Sequence, residues 1–325
     1  MGTGDLPPTE IKNNSDGGSV NVIGNSTTGW KGHSNVQAII RKESSKRILI
    51  NKGVTLWTIA CVVAAIVPLG SILLEVGKNG TSVISIEFLT QTPGAIGSRN
   101  GGIGPAVQGT LLVVGLGSLI AAPVGILAGI YLSEFAGKSR FADVVRFLND
   151  ALTGLPSIVI GIVAFVTIVL WIGTFSVLAG AFALSIIMIP IVVRVTEETL
   201  KIVPNTIREA GYSLGIPKWK ITLFVVVASA KNGILTGIVL GISRITGETA
   251  PLIMTILGTS LFFTSLVGPV DALPLRIWRL ASQPYESAHD FGWGAALILI
   301  LMVLTMNISL RFLAQRKGGL GAANA

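Results

Sequence analysis

A stretch of 43 residues, Ala151–Val193, contains no charged side chain. An α-helix rises about 1.5 Å per residue and the hydrocarbon core of a bilayer is about 30 Å thick, so the stretch is twice as long as one crossing requires. It is predicted to form two membrane-spanning helices joined by a tight turn near Gly173 and Thr174. Only 12% of the residues are charged, against about 25% in a soluble domain. The chain is therefore predicted to be an all-α polytopic membrane protein.

Further runs without charge locate the other spans. Three of them are predicted at Val54–Leu74, Thr110–Leu132 and Phe291–Leu310. One more helix, from about Gly233 to about Leu257, would carry two charged residues inside the membrane. These helices bring the total to six, and residues 259–290 are predicted to form a long loop with re-entrant or interfacial pieces. The alternative is a seventh span at Pro251–Val270.

The distribution of Lys and Arg predicts the orientation of the chain. With the N-terminus inside, 19 of the 24 basic residues lie in inside segments and four in outside loops. Such an excess is typical of cytoplasmic loops, so both termini are predicted to be cytoplasmic. The predicted organisation is a disordered cytoplasmic tail (1–50), a transmembrane domain (51–318) and a C-terminal tail (319–325).

The sequence lacks the usual signs of catalysis or metal binding. The two histidines, His33 and His289, are far apart, so no metal cluster is predicted. No Ser/His/Asp arrangement, paired carboxylates or complete phosphate-binding loop is visible. An enzyme with its own cofactor or nucleotide site is therefore disfavoured, and so is nucleic-acid binding, because the basic excess has a membrane explanation.

A polar segment, Arg194–Lys231, is predicted to be the longest inside loop after the N-terminal tail. It should contain a short amphipathic helix near Asn205–Leu214 and a turn at Gly215, since glycine tolerates a left-handed conformation. Pro217 suits the first turn of the next helix. On physical grounds alone, a purely structural interfacial helix explains the pattern equally well.

Five residues of the fifth predicted span fall within a sector of about 80° on one helix face: Gly233, Gly237, Gly241, Arg244 and Glu248. Glycine at every fourth position allows close helix packing, so both charges are predicted to face the bundle interior. An arginine at membrane depth costs at least about 2.5–3.5 kcal/mol and is usually functional or paired.

Two interpretations of this charged pair stay open. In one, Arg244 and Glu248 form an ion pair that only stabilises the bundle. In the other, Arg244 offers its planar donor fork to an anion on a translocation pathway, and Glu248 holds it and limits its affinity. Arg194 is a second pathway candidate at the inner mouth, with a lipid-headgroup anchor as the alternative.

The polar loop also resembles a known family. Glu209-Ala210-Gly211, followed by Gly215, is similar to the EAA loop of ABC importer permeases, although Gly211 replaces the second alanine of that pattern. The distal part of the pattern also differs, because Val225–Ala228 lacks its proline. In that family the loop helix docks on a separate ATPase subunit. The resemblance implies that Glu209, Ala210, Gly211 and Gly215 couple this chain to such a subunit.

Across residues 102–313 the sequence most resembles the PstA-type permease subunits of phosphate ABC importers. The stretches that carry this resemblance are Gly109-Thr110, Ile130–Glu134, Leu155–Gly161 and Gly241–Pro251. It implies six helices in the MetI-like arrangement, a prokaryotic inner-membrane location, and a phosphate pathway with Arg244, Glu248, Thr249 and Arg194 as candidate residues. No cofactor would be bound by this chain.

The implied partners are a PstC-type permease, PstB-type ATPases that carry ATP and Mg²⁺, and a PstS-type phosphate-binding protein. Permeases for sulfate, molybdate or phosphonate are alternatives that sequence physics does not separate from phosphate. An ion-coupled secondary transporter is a further alternative. It would need coupling carboxylates in several spans, and only Glu248 is predicted to lie within the membrane.

Overall fold

The structure, a computed structural model, describes residues 32–318 except 96, 98, 99 and 138, with side chains described between Arg47 and Phe312 except those of residue 49 and the same four positions. The predicted tails before residue 32 and after residue 318 lie outside these residues. The regular structure in the described ranges is helical. The helices are α1 (Gly32–Gly80), α2 (Ile86–Thr90), α3 (Gly104–Ile130), α4 (Arg140–Gly154), α5 (Ser157–Ala164), α6 (Leu170–Ile172), α7 (Val177–Ile202), α8 (Asn205–Ser213), α9 (Lys218–Ile221), α10 (Val227–Thr246), α11 (Ala250–Thr255), α12 (Leu273–Ala281) and α13 (Glu286–Gly318).

Short π-helical turns extend or join several of these helices. Tyr131–Phe135 continues α3, Phe165–Val169 joins α5 to α6, and Thr222–Val226 joins α9 to α10. A single 3₁₀ turn, Thr81–Val83, follows α1. The joined segments are therefore longer continuous helices than the individual ranges indicate.

Within the described residues, five helical segments are long and apolar enough to cross a bilayer: Ile50–Val83, Gly104–Phe135, Val177–Ile202, Lys218–Thr246 and Glu286–Phe312. A sixth crossing is available from Arg140–Gly154 and Ser157–Ile172, two helices that meet at an angle of 104°. The predicted spans at 54–74, 110–132 and 291–310 each lie within one of these segments and are confirmed.

Helix α1 begins earlier than the sequence indicated. Residues 32–50, predicted as part of a disordered tail, are helical. A helix that is already nucleated extends one hydrogen bond at a time, so the polar segment continues the apolar helix without a new nucleation step. By packing, the described residues up to Val67 form one unit and those from Pro68 another. Every described side chain of the first unit is exposed.

The long stretch without charge folds back on itself as predicted. Helix α6 ends at Ile172, Gly173 has a φ of +80°, and the Ser176 hydroxyl caps α7 by accepting a hydrogen bond from the amide of Ala179. The first of the two helices starts later than Ala151, because Pro156 has no amide hydrogen and keeps Leu155 extended. Residues 151–154 therefore complete α4, and the spanning segment begins at Ser157.

Helix α7 lies at the centre of the second unit, between glycine-lined faces of α3 and α10. A Cβ atom added to Gly125 or Gly129 of α3 would approach Val192 and Thr196 to 2.7 and 2.6 Å. On the other side, Gly237 of α10 packs in the same way against Val195, where a Cβ would approach to 2.9 Å. Small residues at fourfold spacing let helix backbones approach closely, so the three helices form one tightly packed block.

The fifth span differs from the predicted helix of residues 233–257. It begins at Lys218, and α10 ends at Thr246. The later boundary was missed because Gly247 ends the helix and Pro251 starts a separate short one, α11. The earlier boundary was missed because Lys231 was assigned to the preceding loop, whereas it lies on an exposed side of the helix, where its long side chain can extend away from the apolar layer.

The alternative seventh span at 251–270 is wrong, because after α11 the chain is irregular from Ile256 to Ala272. This segment is held by polar contacts with the helices around it. The amide of Phe263 donates to Gln108 of α3, and Arg276 of α12 forms a buried ion pair of 2.5 Å with Asp271. Burial raises the pKa of the Asp271 carboxyl, and the Arg276 guanidinium partly offsets that effect.

Candidate translocation and coupling sites

Arg244 lies in the last turn of α10, and Glu248 follows the helix end at Gly247. The Nη1 atom of Arg244 donates a hydrogen bond to Oε1 of Glu248, so the ion pair is present. The Glu248 side chain is only 6% exposed, whereas 57% of the Arg244 side chain is exposed. The prediction that both charges face the interior is therefore confirmed for Glu248 and wrong for Arg244 within the single chain.

The exposure of Arg244 follows from the geometry of the contact between α10 and α7. That contact follows a row of every fourth residue through Gly233, Gly237 and Gly241, and the next residue in the row is Ile245, which is fully buried. Such a row winds around the helix by about 40° at each step. Arg244 belongs to the neighbouring row, so it lies beside the contact and not within it.

That neighbouring row is exposed along much of α10. It consists of Asn232, Thr236, Leu240 and Arg244, all of them exposed in the single chain. Lipid is a poor environment for an amide and a guanidinium at membrane depth. This face of α10, the polar row, is therefore suited to contact with water or with another protein subunit.

Thr249 is half-buried at the start of α11, and its carbonyl accepts a hydrogen bond from Ile253. The next turn of chain packs on α5, where a Cβ added to Gly161 would lie 2.7 Å from Pro251. Two sequence stretches that the resemblance singled out, Leu155–Gly161 and Gly241–Pro251, thus meet at one close contact. This contact fixes the position of the chain that follows Glu248.

Arg194 of α7 lies at a different level of the bundle from Arg244. Its Nε atom donates to Glu198 at 2.5 Å and its Nη1 atom to Asp150 of α4 at 3.3 Å, and all three side chains are more than half exposed. Because Val195 packs against Gly237, the two arginines are separated by about 10 Å along the helix axes. The described contacts thus pair Arg244 with Glu248 and place Arg194 in a separate carboxylate cluster.

The polar loop contains the predicted short helix. Helix α8 spans Asn205–Ser213, Gly215 has a φ of +73°, and the next helix begins at Lys218, directly after Pro217. Glu209 and Ala210 are exposed on the outer face of α8. Helix α8 with its glycine turn, called the coupling helix below, therefore presents an accessible surface.

The glycine at position 211 has a packing explanation. A Cβ at Gly211 would lie 2.8 Å from the Ile221 side chain, so glycine allows the coupling helix to pack closely on the start of the fifth span. The departure from the alanine of the EAA pattern thus coincides with a tight contact on the inner face. Ile221 belongs to a buried apolar cluster that also includes Leu200, and Ile207 of the coupling helix packs against this cluster.

Sequence reasoning missed two residues of this region, Arg208 and Glu134. The guanidinium of Arg208, on the coupling helix, forms two hydrogen bonds of 2.6 and 3.1 Å with the carboxylate of Glu134 at the end of α3. This interaction raises the pKa of Arg208 above its ordinary value, so the guanidinium stays charged. The available signal was a glutamate at the end of an apolar span, within the stretch Ile130–Glu134.

Comparison with known proteins identifies the family to which this architecture belongs. Residues 121–317 match the family described as "Binding-protein-dependent transport system inner membrane component". The phosphate transport system permease protein PstA of Haemophilus influenzae is 41% identical over 246 residues, which cover 76% of this chain and 87% of that protein. The probable PstA of Methanocaldococcus jannaschii is 37% identical over 78% of this chain and 89% of its own length.

Solved structures with low sequence identity share the fold. A chain of a bacterial alginate ABC transporter aligns with a TM-score of 0.60 at 14% identity, covering 85% of this chain and 98% of that one. A chain of the MetNI methionine ABC transporter aligns with a TM-score of 0.52 at 15% identity, covering 65% and 92% respectively. The MetI-like arrangement expected from the sequence is thereby confirmed. The chain is a transport component rather than an enzyme, and it belongs to the family of binding-protein-dependent transport system inner membrane components, among the PstA-type permeases.

Proposed function

We propose that this chain is one of two permease subunits of an ATP-driven phosphate importer and that the polar row of α10 lines the pathway. The observation that carries the proposal is Arg244, a guanidinium on an exposed face of a membrane-spanning helix. A homologous PstC-type permease would supply the opposite wall. Between the two subunits, Arg244 would face the anion and not lipid.

The ion pair with Glu248 makes Arg244 suitable for transient binding. A guanidinium presents planar donors that match phosphate oxygens. The buried carboxylate of Glu248 occupies part of that donor set and keeps the local net charge near zero. Affinity for the anion is then low enough for release, which transport requires. Thr249 and Arg194 are proposed as further pathway residues, with Arg194 nearer the cytoplasm.

The coupling helix is proposed to bind a PstB-type ATPase subunit through Glu209 and Ala210, which are exposed. ATP and Mg²⁺ would be bound by that subunit and not by this chain. A PstS-type protein would deliver phosphate from the opposite side of the membrane. The sequence resemblance to PstA proteins of known transport systems supports these partner types.

Reconstitution of the assembled complex in lipid vesicles tests the proposal. Uptake of radiolabelled phosphate is expected to require ATP on the side of the membrane where the coupling helix lies. It should also require the binding protein on the opposite side. Sulfate and molybdate in tenfold excess serve as competitors and are expected to leave uptake unchanged, at about the wild-type rate. Uptake driven by an ion gradient without ATP, or efficient transport of a competitor, would contradict it.

The proposed orientation, with both termini in the cytoplasm, is tested by labelling of single cysteines. With Cys61 replaced by serine, cysteines introduced at Thr81 and Gly318 are expected to react with an impermeant maleimide from opposite sides of the membrane. Thr81 lies in the 3₁₀ turn at the far end of the first spanning segment, directly after α1, and Gly318 lies beyond the last segment. Reaction of both from the same side is the outcome that the six-span topology does not permit.

A further inference from the structure

Arg208 connects the coupling helix to the ends of two membrane helices. Its Nε and Nη2 atoms donate to the two carboxylate oxygens of Glu134 after α3. Nη2 also donates to the carbonyl of Leu200, and Nη1 donates to the carbonyl of Val203 and to Oδ1 of Asn205. All five N–H donors of a guanidinium thus have an acceptor.

Two of these acceptors are the carbonyls of Leu200, in the last turn of α7, and of Val203, directly after it, and the Leu200 carbonyl also accepts from the Val203 amide. The last carbonyl groups of a helix lack the usual partner four residues on. Arg208 therefore caps α7 with a positive charge, which the helix dipole also favours. Only 14% of the Arg208 side chain and 5% of the Glu134 side chain are exposed. A bidentate arginine–carboxylate pair with this burial has one well-defined geometry.

The other residues of the coupling helix make few buried contacts with the membrane helices. None of its residues is fully buried, and its apolar contacts come chiefly from Ile207 and Gly211. A second arginine, Arg146 of α4, holds the same end of α3, since it donates to the carbonyl of Leu132 at 3.1 Å and to Glu197 of α7 at 2.9 Å. The end of α3 is thus a fixed part of the bundle to which the coupling helix is joined through Glu134.

We propose that the Arg208–Glu134 pair is the link that transmits displacement of the coupling helix to α3 and α7. The inference rests on the proposed function, because it takes α8 as the helix that the ATPase moves. Since α3, α7 and α10 pack as one block through their glycines, movement of the α3 and α7 ends also moves the helix that carries Arg244. Arg208 and Glu134 are positioning residues in this mechanism and do not contact the anion.

The test replaces Glu134 by glutamine in the reconstituted complex. Glutamine keeps the shape of the side chain but removes its charge and one of its two acceptor oxygens. Assembly with the ATPase and ATP hydrolysis are expected to persist, while phosphate imported per ATP hydrolysed falls about tenfold. Arg208→Lys should behave similarly, because an ammonium group cannot bind Glu134 and the α7 carbonyls with the same fork.

Asp143→Asn is the matched control. It also removes a carboxylate paired with an arginine, Arg146, in the same region, but the Asp143 side chain is 73% exposed. Uptake per ATP in this variant should equal that of the wild type, since exposed pairs contribute little. The proposal would be overturned if phosphate imported per ATP hydrolysed equalled the wild-type value in all three variants. It would also be overturned if hydrolysis and uptake fell in proportion in both Glu134→Gln and Arg208→Lys.

A second readout separates this inference from the proposed function. Amide hydrogen exchange of residues 205–213 in the assembled complex is independent of what is transported. It is expected to rise about tenfold in Glu134→Gln and Arg208→Lys and to stay unchanged in Asp143→Asn. Failure of the wild-type complex to import phosphate would refute the proposed function alone, whereas unchanged exchange in the pair variants would refute the link.

Discussion

Phosphate uptake is expected to fall by about 100-fold or more when Arg244 is replaced by glutamine, because the anion loses a charge-assisted hydrogen-bonding partner. An anion that leaves water for the pathway needs donors to replace its hydration, and Arg244 is a charged donor on the exposed polar row of α10. The variant should still assemble and its ATPase partner should still bind ATP. Radiolabelled phosphate measures uptake, and copurification with the ATPase measures assembly on the same sample.

Arg244→Lys is expected to give an intermediate rate, since a point charge remains without the planar fork. The single glutamine variant also leaves Glu248 buried without its partner, which destabilises the fold independently of any anion. The double variant Arg244→Gln with Glu248→Gln removes that complication. If the double variant transports phosphate at the wild-type rate, Arg244 only neutralises Glu248 and has no role in the pathway.

Gly215→Val is expected to lower phosphate uptake about tenfold while ATP hydrolysis continues. Gly215 has a φ of +73°, a conformation that a β-branched residue adopts at a cost of about 1–3 kcal/mol. Apart from its two chain neighbours, no described residue comes within 4 Å of a Cβ added there, so the strain comes from the backbone. Relief of that strain would change the turn and shift the coupling helix relative to the start of the fifth span.

Gly215→Asn is the matched control, because asparagine tolerates the left-handed conformation and the surrounding space is open. Its uptake per ATP hydrolysed should remain close to that of the wild type. Equal ratios in the valine and asparagine variants would show that the turn conformation does not affect coupling. A loss of assembly in both variants would instead assign the effect to the added side chain.

The features that the sequence predicted correctly are those with a local physical signature. The absence of charge over 43 residues and Gly173 together predicted a helical hairpin, and Gly215 predicted the end of the coupling helix. Glycine spacing predicted that α10 packs closely. The predicted orientation of Arg244 was wrong because one straight sector of the helix surface was taken to face the bundle. The contact with α7 instead follows a row of residues that winds around α10 and reaches Ile245.

Other features depend on contacts between distant parts of the chain. Arg208 and Glu134 are 74 positions apart, so nothing local to either residue identifies the other as its partner. The end of α10 did have a local signal in Gly247 and Pro251, but the need to span the membrane outweighed it in the prediction. Lys231, in the first half of the fifth span, hid its true length because its charge was assigned to the preceding loop.

The sharp bend at Gly154–Pro156 separates α4 from the Ser157–Ile172 helix and leaves the latter as a short span. The helix of Ser157–Ile172 is about 24 Å long, shorter than a hydrocarbon layer of about 30 Å. A short span is accommodated by local thinning of the bilayer. Helix α4, nearly perpendicular to it, exposes Phe141, Val144 and Phe147 and is suited to lie in the headgroup layer. Acyl-chain length is therefore expected to affect this permease chiefly through the Ser157–Ile172 helix.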